Sequence, residues 1–409
     1  MQNRIKKLPK KFSLICFFLI LPDRKVMMGE LLKNFFWVQP TIATWFAYAF
    51  VLFWLVQMCY YIFVFMRIGR RVKPKEYQPI VPVSVVICAK NESENLIERL
   101  KFVLEQDYPE FEVIVVNDSS TDDTIMVLNE FKKFYKNLYV TEIERDKRFG
   151  HGKKLALTIG IKAAKYEWLL LTDADCKPES KYWIRTMAQN FTDDTDFVLG
   201  YGGYEEKRGL FNKLLRYDAG FIALQYFTYA EVGMPYMGVG RNLAYRKSLF
   251  FRTKGFASHS RLMSGDDDIF VNDNAVKNKV KLEYNPHGFT SCVPQENFSK
   301  WNHQKQRHFT ASERYKTSHK LVLGLEQLSR TLFYLLAVIL AFVWPISLGV
   351  GVLFLLRYFV FLYTITKTSK RFNIKGVSGW AILFDFVLPY INLVQLLLSK
   401  FRRDRLTWK

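Results

Sequence analysis

The chain has 409 residues, half of them hydrophobic and 16% aromatic, which excludes a disordered or low-complexity protein. Its 59 Lys and Arg against 38 Asp and Glu leave a formal net charge of +21, which points to an anionic partner such as a membrane surface or a nucleic acid. Residues 1–66 and 331–409 carry +6 and +8 of that excess and are also the apolar parts of the chain, so the charge marks membrane flanks and a nucleic-acid partner is not expected.

Residues 1–40 are an N-terminal extension. A basic stretch precedes the apolar residues 13–21, in the manner of a short signal-peptide core, but Pro22, Asp23, Arg24 and Lys25 follow without a small-residue cleavage site. The expectation is an extension, or a true start at Met27 or Met28. Residues 41–66 hold no charge and are long enough for a transmembrane helix, with Trp45 and Tyr48 near one end and Tyr60 and Tyr61 near the other. The linker at 67–80 opens with Arg67, Arg70, Arg71, Lys73 and Lys75, which by the positive-inside rule faces the cytoplasm.

Between 81 and 320, short apolar runs alternate with helical spacing. Strands are predicted at 83–88, 111–116, 138–143 and 168–172, and helices at 92–106, 122–134, 153–164 and 269–276. The fold class is therefore α/β, with a mostly parallel sheet covered on both faces. Ligands bind beyond the carboxyl ends of such strands. There stand Lys90, Asn91 and Glu92 after the first strand, then Asn117, Asp118, Ser119 and Ser120, then Asp173 and Asp175. No GxGxxG or Walker A sequence follows the first strand, which argues against a dinucleotide oxidoreductase or a P-loop ATPase.

Residues 328–366 are expected to form two transmembrane helices turning near Pro345, followed by Lys367, Lys370, Arg371 and Lys375. Residues 377–398 are apolar but contain Asp385, Pro389 and Asn392. A single span there would put one basic flank outside, so an interfacial helix or a re-entrant pair is favoured over a further membrane helix. A basic tail occupies 399–409. Cys16, Cys59, Cys88, Cys176 and Cys292 form no CxxC or zinc spacing, which fits reduced thiols in a cytoplasmic domain.

Asp173 and Asp175 lie two apart at a strand end, so their side chains lean to one side and repel unless a hard cation separates them. Taken alone, this DxD is equally a solvated turn. Asp266, Asp267 and Asp268 form a further acidic cluster, which doubles as a favourable helix N-terminus. Carboxylates of this kind suit metal-assisted transfer from a nucleotide diphosphate, with one of them deprotonating an acceptor hydroxyl.

In chain order, the segments 86–92 (VICAKNE), 115–123 (VVNDSSTDD), 152–157 (GKKLAL), 171–175 (LTDAD), 238–245 (GVGRNLAY), 265–267 (GDD) and 304–308 (QKQRH) resemble those of the membrane-anchored family 2 glycosyltransferases. That family includes cellulose, chitin and hyaluronan synthases. The resemblance covers roughly 82–316 and implies a GT-A fold flanked by transmembrane helices. It implies inverting transfer from a nucleotide sugar, most often a UDP-sugar, to a hydroxyl of a lipid-linked or glycan acceptor in cell-envelope glycan synthesis. By similarity, Glu92 and Asp118 would hold the uridine, Lys153 would lie beside the nucleotide, and Asp173 and Asp175 would hold diphosphate and Mg²⁺ or Mn²⁺. Asp267, with Asp266 beside it, is similar to the general base; Gly240 and Asn242 would line the acceptor side. Gln304, Arg307 and His308 match a QxxRW motif in which His308 replaces Trp. Loss of that indole removes a stacking surface and argues against a processive synthase. That alternative, and an inactive nucleotide-sugar-binding scaffold, stay open here. The implied location is the inner membrane, multi-pass, among membrane lipids, with the catalytic domain cytoplasmic.

Overall fold

A computed structural model describes residues 41–71, 80–144, 152–260, 262, 264–343 and 346–401. The N-terminal extension, the start-site question, Lys73, Lys75, Pro345 and the basic tail lie outside the described residues.

Four apolar strands build the parallel half of the sheet: β1 (Val83–Ala89), β2 (Phe111–Asp118), β3 (Leu138–Ile143) and β4 (Trp168–Leu171). Their order is β3-β2-β1-β4, with Val83 facing Phe111 on one side and Trp168 on the other. Beyond β4 the sheet continues through three short strands that the sequence pattern does not announce. They are β6 (Phe197–Leu199), β8 (Leu243–Arg246) and β9 (Val280–Leu282), and β8 runs antiparallel to both neighbours. A second sheet joins β5 (Cys176–Pro178), β10 (Thr290–Cys292) and β7 (Gly202–Tyr204).

Strand alternation divides the core in two. Val83, Val85, Ile87 and Ala89 pack with Leu96, Leu100 and Val103 of α2 (Ser93–Leu104) and Leu128 of α3 (Thr124–Phe134). Trp183 and Met187 of α5 (Trp183–Ala188) complete that face. Val86 and Cys88 face the other way, onto Ala156, Leu157 and Ile161 of α4 (Lys153–Ala163). A Cβ on Gly160 would come within 2.7 Å of Val86, so glycine there lets α4 lie close on the sheet. This second core continues through α6 (Leu210–Glu231) into Tyr61, Phe65, Phe361 and Phe384 of the membrane-spanning helices, so one hydrophobic body joins the catalytic domain to its anchor.

Among the described residues, four helices are long and apolar enough to cross a membrane. The first is α1 (Ile42–Cys59), continued through a π turn and a 3₁₀ turn to Gly69. After α7 (Lys247–Arg252), α8 (Asp268–Asn274) and α9 (Phe298–Ser312) come α10 (Thr317–Leu340), α11 (Ile346–Arg371) and α12 (Ala381–Phe401). Helix α10 begins 11 residues before the expected 328, because its first turns pack against the domain rather than lipid.

Helix α12 is one continuous element of spanning length, not a re-entrant pair. Three of its polar groups are matched inside the protein. Asp385 accepts from Arg357 at 2.9 Å and from Arg330 at 3.3 Å, and Asn392 accepts from Lys305 at 3.1 Å. The Pro389 carbonyl accepts from Gln327 at 2.8 Å. Paired in this way, an acidic residue can sit at membrane depth.

The cysteines also differ from the sequence expectation. Cys176 and Cys292 face each other across β5 and β10 and are joined as a disulfide. They stand 116 residues apart in sequence, so no spacing rule finds them. Cys59 and Cys88 are free.

Candidate active site

A cleft of about 720 Å³ opens at the carboxyl ends of β1 and β4. One wall is the loop after β1, with Lys90, Asn91 and Glu92, together with Asn95 one turn into α2. The floor holds Lys153, Asp173 and Asp175. The opposite wall is the segment 293–296 and one face of α9: Ser299, Lys300, His303, Gln304 and Arg307.

The loops after β1 and β2 interlock. Asn91 and Ser119 both take left-handed backbone conformations, with φ of 55° and 53°, a strain that strand-end loops at functional sites often carry. The Asn91 amide donates to Ser120 at 2.9 Å, and the Thr121 amide donates back to Asn91 Oδ1 at 2.8 Å. Glu92 is fixed by Asn95, which donates to its carboxylate at 2.6 Å. Asp118 does not line the cleft. It is fully buried, 3.6 Å from the Lys90 ammonium, and so acts behind the loop. Lys90, its ion-pair partner, lines the cleft in its place.

Lys153 opens α4, where the helix dipole already favours anions. Its ammonium lies 2.8 Å from Asp173 and 3.0 Å from Asp266, bridging the DxD and GDD segments. Desolvation opposes its charge, but Asp173, Asp266 and Asp267 together outweigh that and raise its pKa well above the usual lysine value.

The three consecutive aspartates have different surroundings. Gly265 has φ of +100°, a turn that aims the chain into α8. Asp266 is buried; desolvation opposes its ionisation, yet Lys153 prevails and holds its carboxyl below the usual range. Asp267 is half-buried and caps α8, accepting from the Asp268 amide at 2.8 Å and the Gly240 amide at 2.6 Å. Burial first, and the Asp266 charge second, push its carboxyl up. Asp268 is buried and accepts from Tyr315 at 2.7 Å; burial and Asp267 push it up to about 8.

Two residues assigned by resemblance stand elsewhere. Asn242, expected on the acceptor side, is fully buried. It donates to the carbonyls of Tyr201 (2.9 Å) and Gly288 (2.8 Å) and accepts from Trp183 Nε1 at 3.1 Å. A side chain with every polar atom spent inside the protein holds strands together and touches no substrate. His308 is exposed and does not line the cleft. Gln304 accepts from Tyr204 at 3.3 Å and, with Arg307, faces the cleft as expected.

Lys300 and His303 were not anticipated, yet with Gln304 and Arg307 they fall at i, i+3, i+4 and i+7 on α9. That spacing was available as a signal.

Asp173 and Asp175 are half-exposed, on either side of the buried Ala174, and both line the cleft. Two carboxylates with free approach from a phosphate-sized space are a fitting donor set for a hard divalent ion, and Lys153 already provides one cation against Asp173. Cys176 and Cys292 bring sulfur within 4.8 Å of Asp175, but those sulfurs are bonded to each other and offer no thiolate.

Residues 84–263, which carry the β1 loop, Lys153 and the DxD pair, match the glycosyl transferase family 2 model. This segment, 180 of the 409 residues, is similar to family 2 glycosyltransferase domains. Poly-beta-1,6-N-acetyl-D-glucosamine synthase of Staphylococcus epidermidis is 36% identical over 126 residues, 30% of this chain and 29% of the relative. An uncharacterized glycosyltransferase of Haemophilus influenzae is 29% identical over 146 residues, 36% of this chain and 42% of the relative. The matched stretch thus spans less than half the length of either curated relative. Among solved structures, the mannosyltransferase PcManGT from Pyrobaculum calidifontis in complex with GDP-Man and Mn²⁺ is similar with a TM-score of 0.57 at 19% identity, covering 88% of this chain and all of that one. At that identity the likeness establishes the fold, which is GT-A with flanking membrane-length helices. The cleft lies at the strand ends that the sequence pattern singled out.

Proposed function

We propose that this protein is a membrane-bound, inverting glycosyltransferase that moves a sugar from a UDP-sugar to a hydroxyl of a lipid-linked or glycan acceptor in cell-envelope glycan synthesis. The observation that carries the reading is the Lys153 bridge, 2.8 Å from Asp173 and 3.0 Å from Asp266. It ties Asp173, which lines the cleft, to the acidic segment whose next residue, Asp267, is the candidate base.

Asp173 and Asp175 would hold Mg²⁺ or Mn²⁺, which when bound neutralises charge on the leaving diphosphate. Arg307 meets that diphosphate from the opposite wall, with a guanidinium suited to two parallel hydrogen bonds. Asp267 takes the proton of the acceptor hydroxyl; its raised proton affinity and half-exposed carboxylate suit a base better than the ion-paired Asp266. The acceptor oxygen then bonds to the anomeric carbon as the carbon–oxygen bond to the diphosphate breaks on the opposite face, which inverts the configuration. Glu92, held by Asn95, is the polar contact for the ribose.

The excess of Lys and Arg after α1 and α11 supports a cytoplasmic domain at the inner membrane. Single transfer is favoured over chain threading, because the interior between the described membrane-length helices is filled by Gln57, Arg330, Arg357 and Asp385 bonded to one another.

The deciding experiment is a panel of UDP- and GDP-sugars offered to the full chain in membranes, reading nucleotide release with and without added lipid extract. Release from one UDP-sugar that rises with lipid and stops with EDTA is expected. Release from GDP-sugars alone would overturn the donor assignment, and full activity in EDTA would overturn the metal.

A further inference from the structure

The residue after Lys153 has no part in the scheme above, yet it is built into the same corner. Lys154 is 9% exposed and makes no ion pair among the described residues. Its ammonium donates instead to three backbone carbonyls: Ser264 at 2.7 Å, His259 at 2.8 Å and Leu262 at 2.9 Å. An ammonium has three N–H donors, and each is matched by one of these carbonyls.

All three acceptors belong to one stretch, which leaves the 3₁₀ turn Ala257–His259 and ends at Gly265, Asp266 and Asp267. Among the described residues between that turn and α8, none belongs to a helix or strand. Burying an ammonium costs several kcal/mol unless every proton is matched, and a methionine would fill the same space without that cost. Burial lowers the pKa of Lys154 to about 8, which leaves it charged at neutral pH. Lys153 and Lys154 thus grip the GDD segment from two sides. One holds the Asp266 carboxylate and the other holds the backbone leading into it.

We infer that Lys154 is a positioning residue whose ammonium holds the His259, Leu262 and Ser264 carbonyls and thereby sets Asp266 and Asp267 against Lys153 and the Gly240 amide. Its kinetic consequence rests on the transferase reading; its structural consequence does not.

The test uses the full chain in lipid nanodiscs, with Lys154→Met and Lys154→Arg compared with the unaltered protein. In Lys154→Met, amide hydrogen exchange over 257–268 should accelerate by about tenfold or more while the β1–β4 amides keep their protection. UDP affinity and donor KM should stay within about twofold while kcat falls by about 10²-fold, the loss that misplacement of a reacting group produces. Lys154→Arg, which keeps charge and donors, should recover most of both. Unchanged exchange in Lys154→Met would overturn the clamp, and faster exchange with full kcat would overturn positioning. If the unaltered protein turns over no nucleotide sugar, the transferase reading fails by itself, and exchange still decides the clamp.

Discussion

Asn242 separates a structural from a substrate-binding role. Truncation to alanine removes three hydrogen bonds, of 2.8, 2.9 and 3.1 Å, from a site with no solvent exposure. The Tyr201 carbonyl keeps the Thr290 amide as a partner at 3.1 Å, so its loss is small. Trp183 Nε1 and the Gly288 carbonyl are left without that amide. At about 1–3 kcal/mol for each buried group so stranded, Asn242→Ala should cost about 3 kcal/mol. For a domain of this size that corresponds to a fall in the unfolding midpoint of about 6–12 °C, read by near-ultraviolet circular dichroism of the full chain in detergent. Asn242→Asp should do no better, since it turns a carboxylate toward two carbonyl oxygens. Acceptor KM, measured on the folded fraction below the transition, should stay within about twofold. An unchanged midpoint together with a raised acceptor KM would refute the reasoning and return Asn242 to the acceptor site.

Asp267→Asn should lower kcat by about 10²–10⁴-fold while UDP binding, followed by calorimetry, stays nearly intact; equal loss of both would move the base elsewhere. Arg357→Met leaves Asp385 with only part of its partners inside the helix bundle and should destabilise by about 3–5 kcal/mol. Thermal unfolding in micelles should show Arg357→Met/Asp385→Asn recovering most of that loss, and a single variant as stable as the parent would deny the network a structural part. The carboxyl of Asp268 is raised to about 8 against an unfolded value near 3.8. A carboxylic acid that holds its proton more tightly when folded loses stability as pH rises from the unfolded value to the folded one. Stability should therefore decline between about pH 4 and pH 8 from this group, and Asp268→Asn should flatten that slope in a pH series of unfolding midpoints; an unaltered slope would count against the assignment.

The carboxylates were legible because their signal is local. An apolar strand followed at once by Lys90-Asn91-Glu92 or Asp173-Ala174-Asp175 fixes both the element and the end at which its polar residues stand. The same adjacency does not reveal that Asn242 and Asp118 are fully buried, since burial depends on what packs over them. Lys300 and His303 were legible in principle from helical spacing, whereas β6, β8 and β9, at three or four residues each, are too short for any period to declare them.

By itself the sequence located three of the four membrane-length helices, the strands that form the parallel half of the sheet, and the acidic residues that gather at its carboxyl end. These follow from hydropathy and periodicity, which act over a few neighbouring residues. Tertiary structure alone decided the pairing of Cys176 with Cys292, the burial of Asp385 between Arg330 and Arg357, and which of three adjacent aspartates has its proton affinity lowered and which raised. Each depends on groups far apart in sequence, and a side chain's ionisation, bonding and exposure are set by what the fold packs around it.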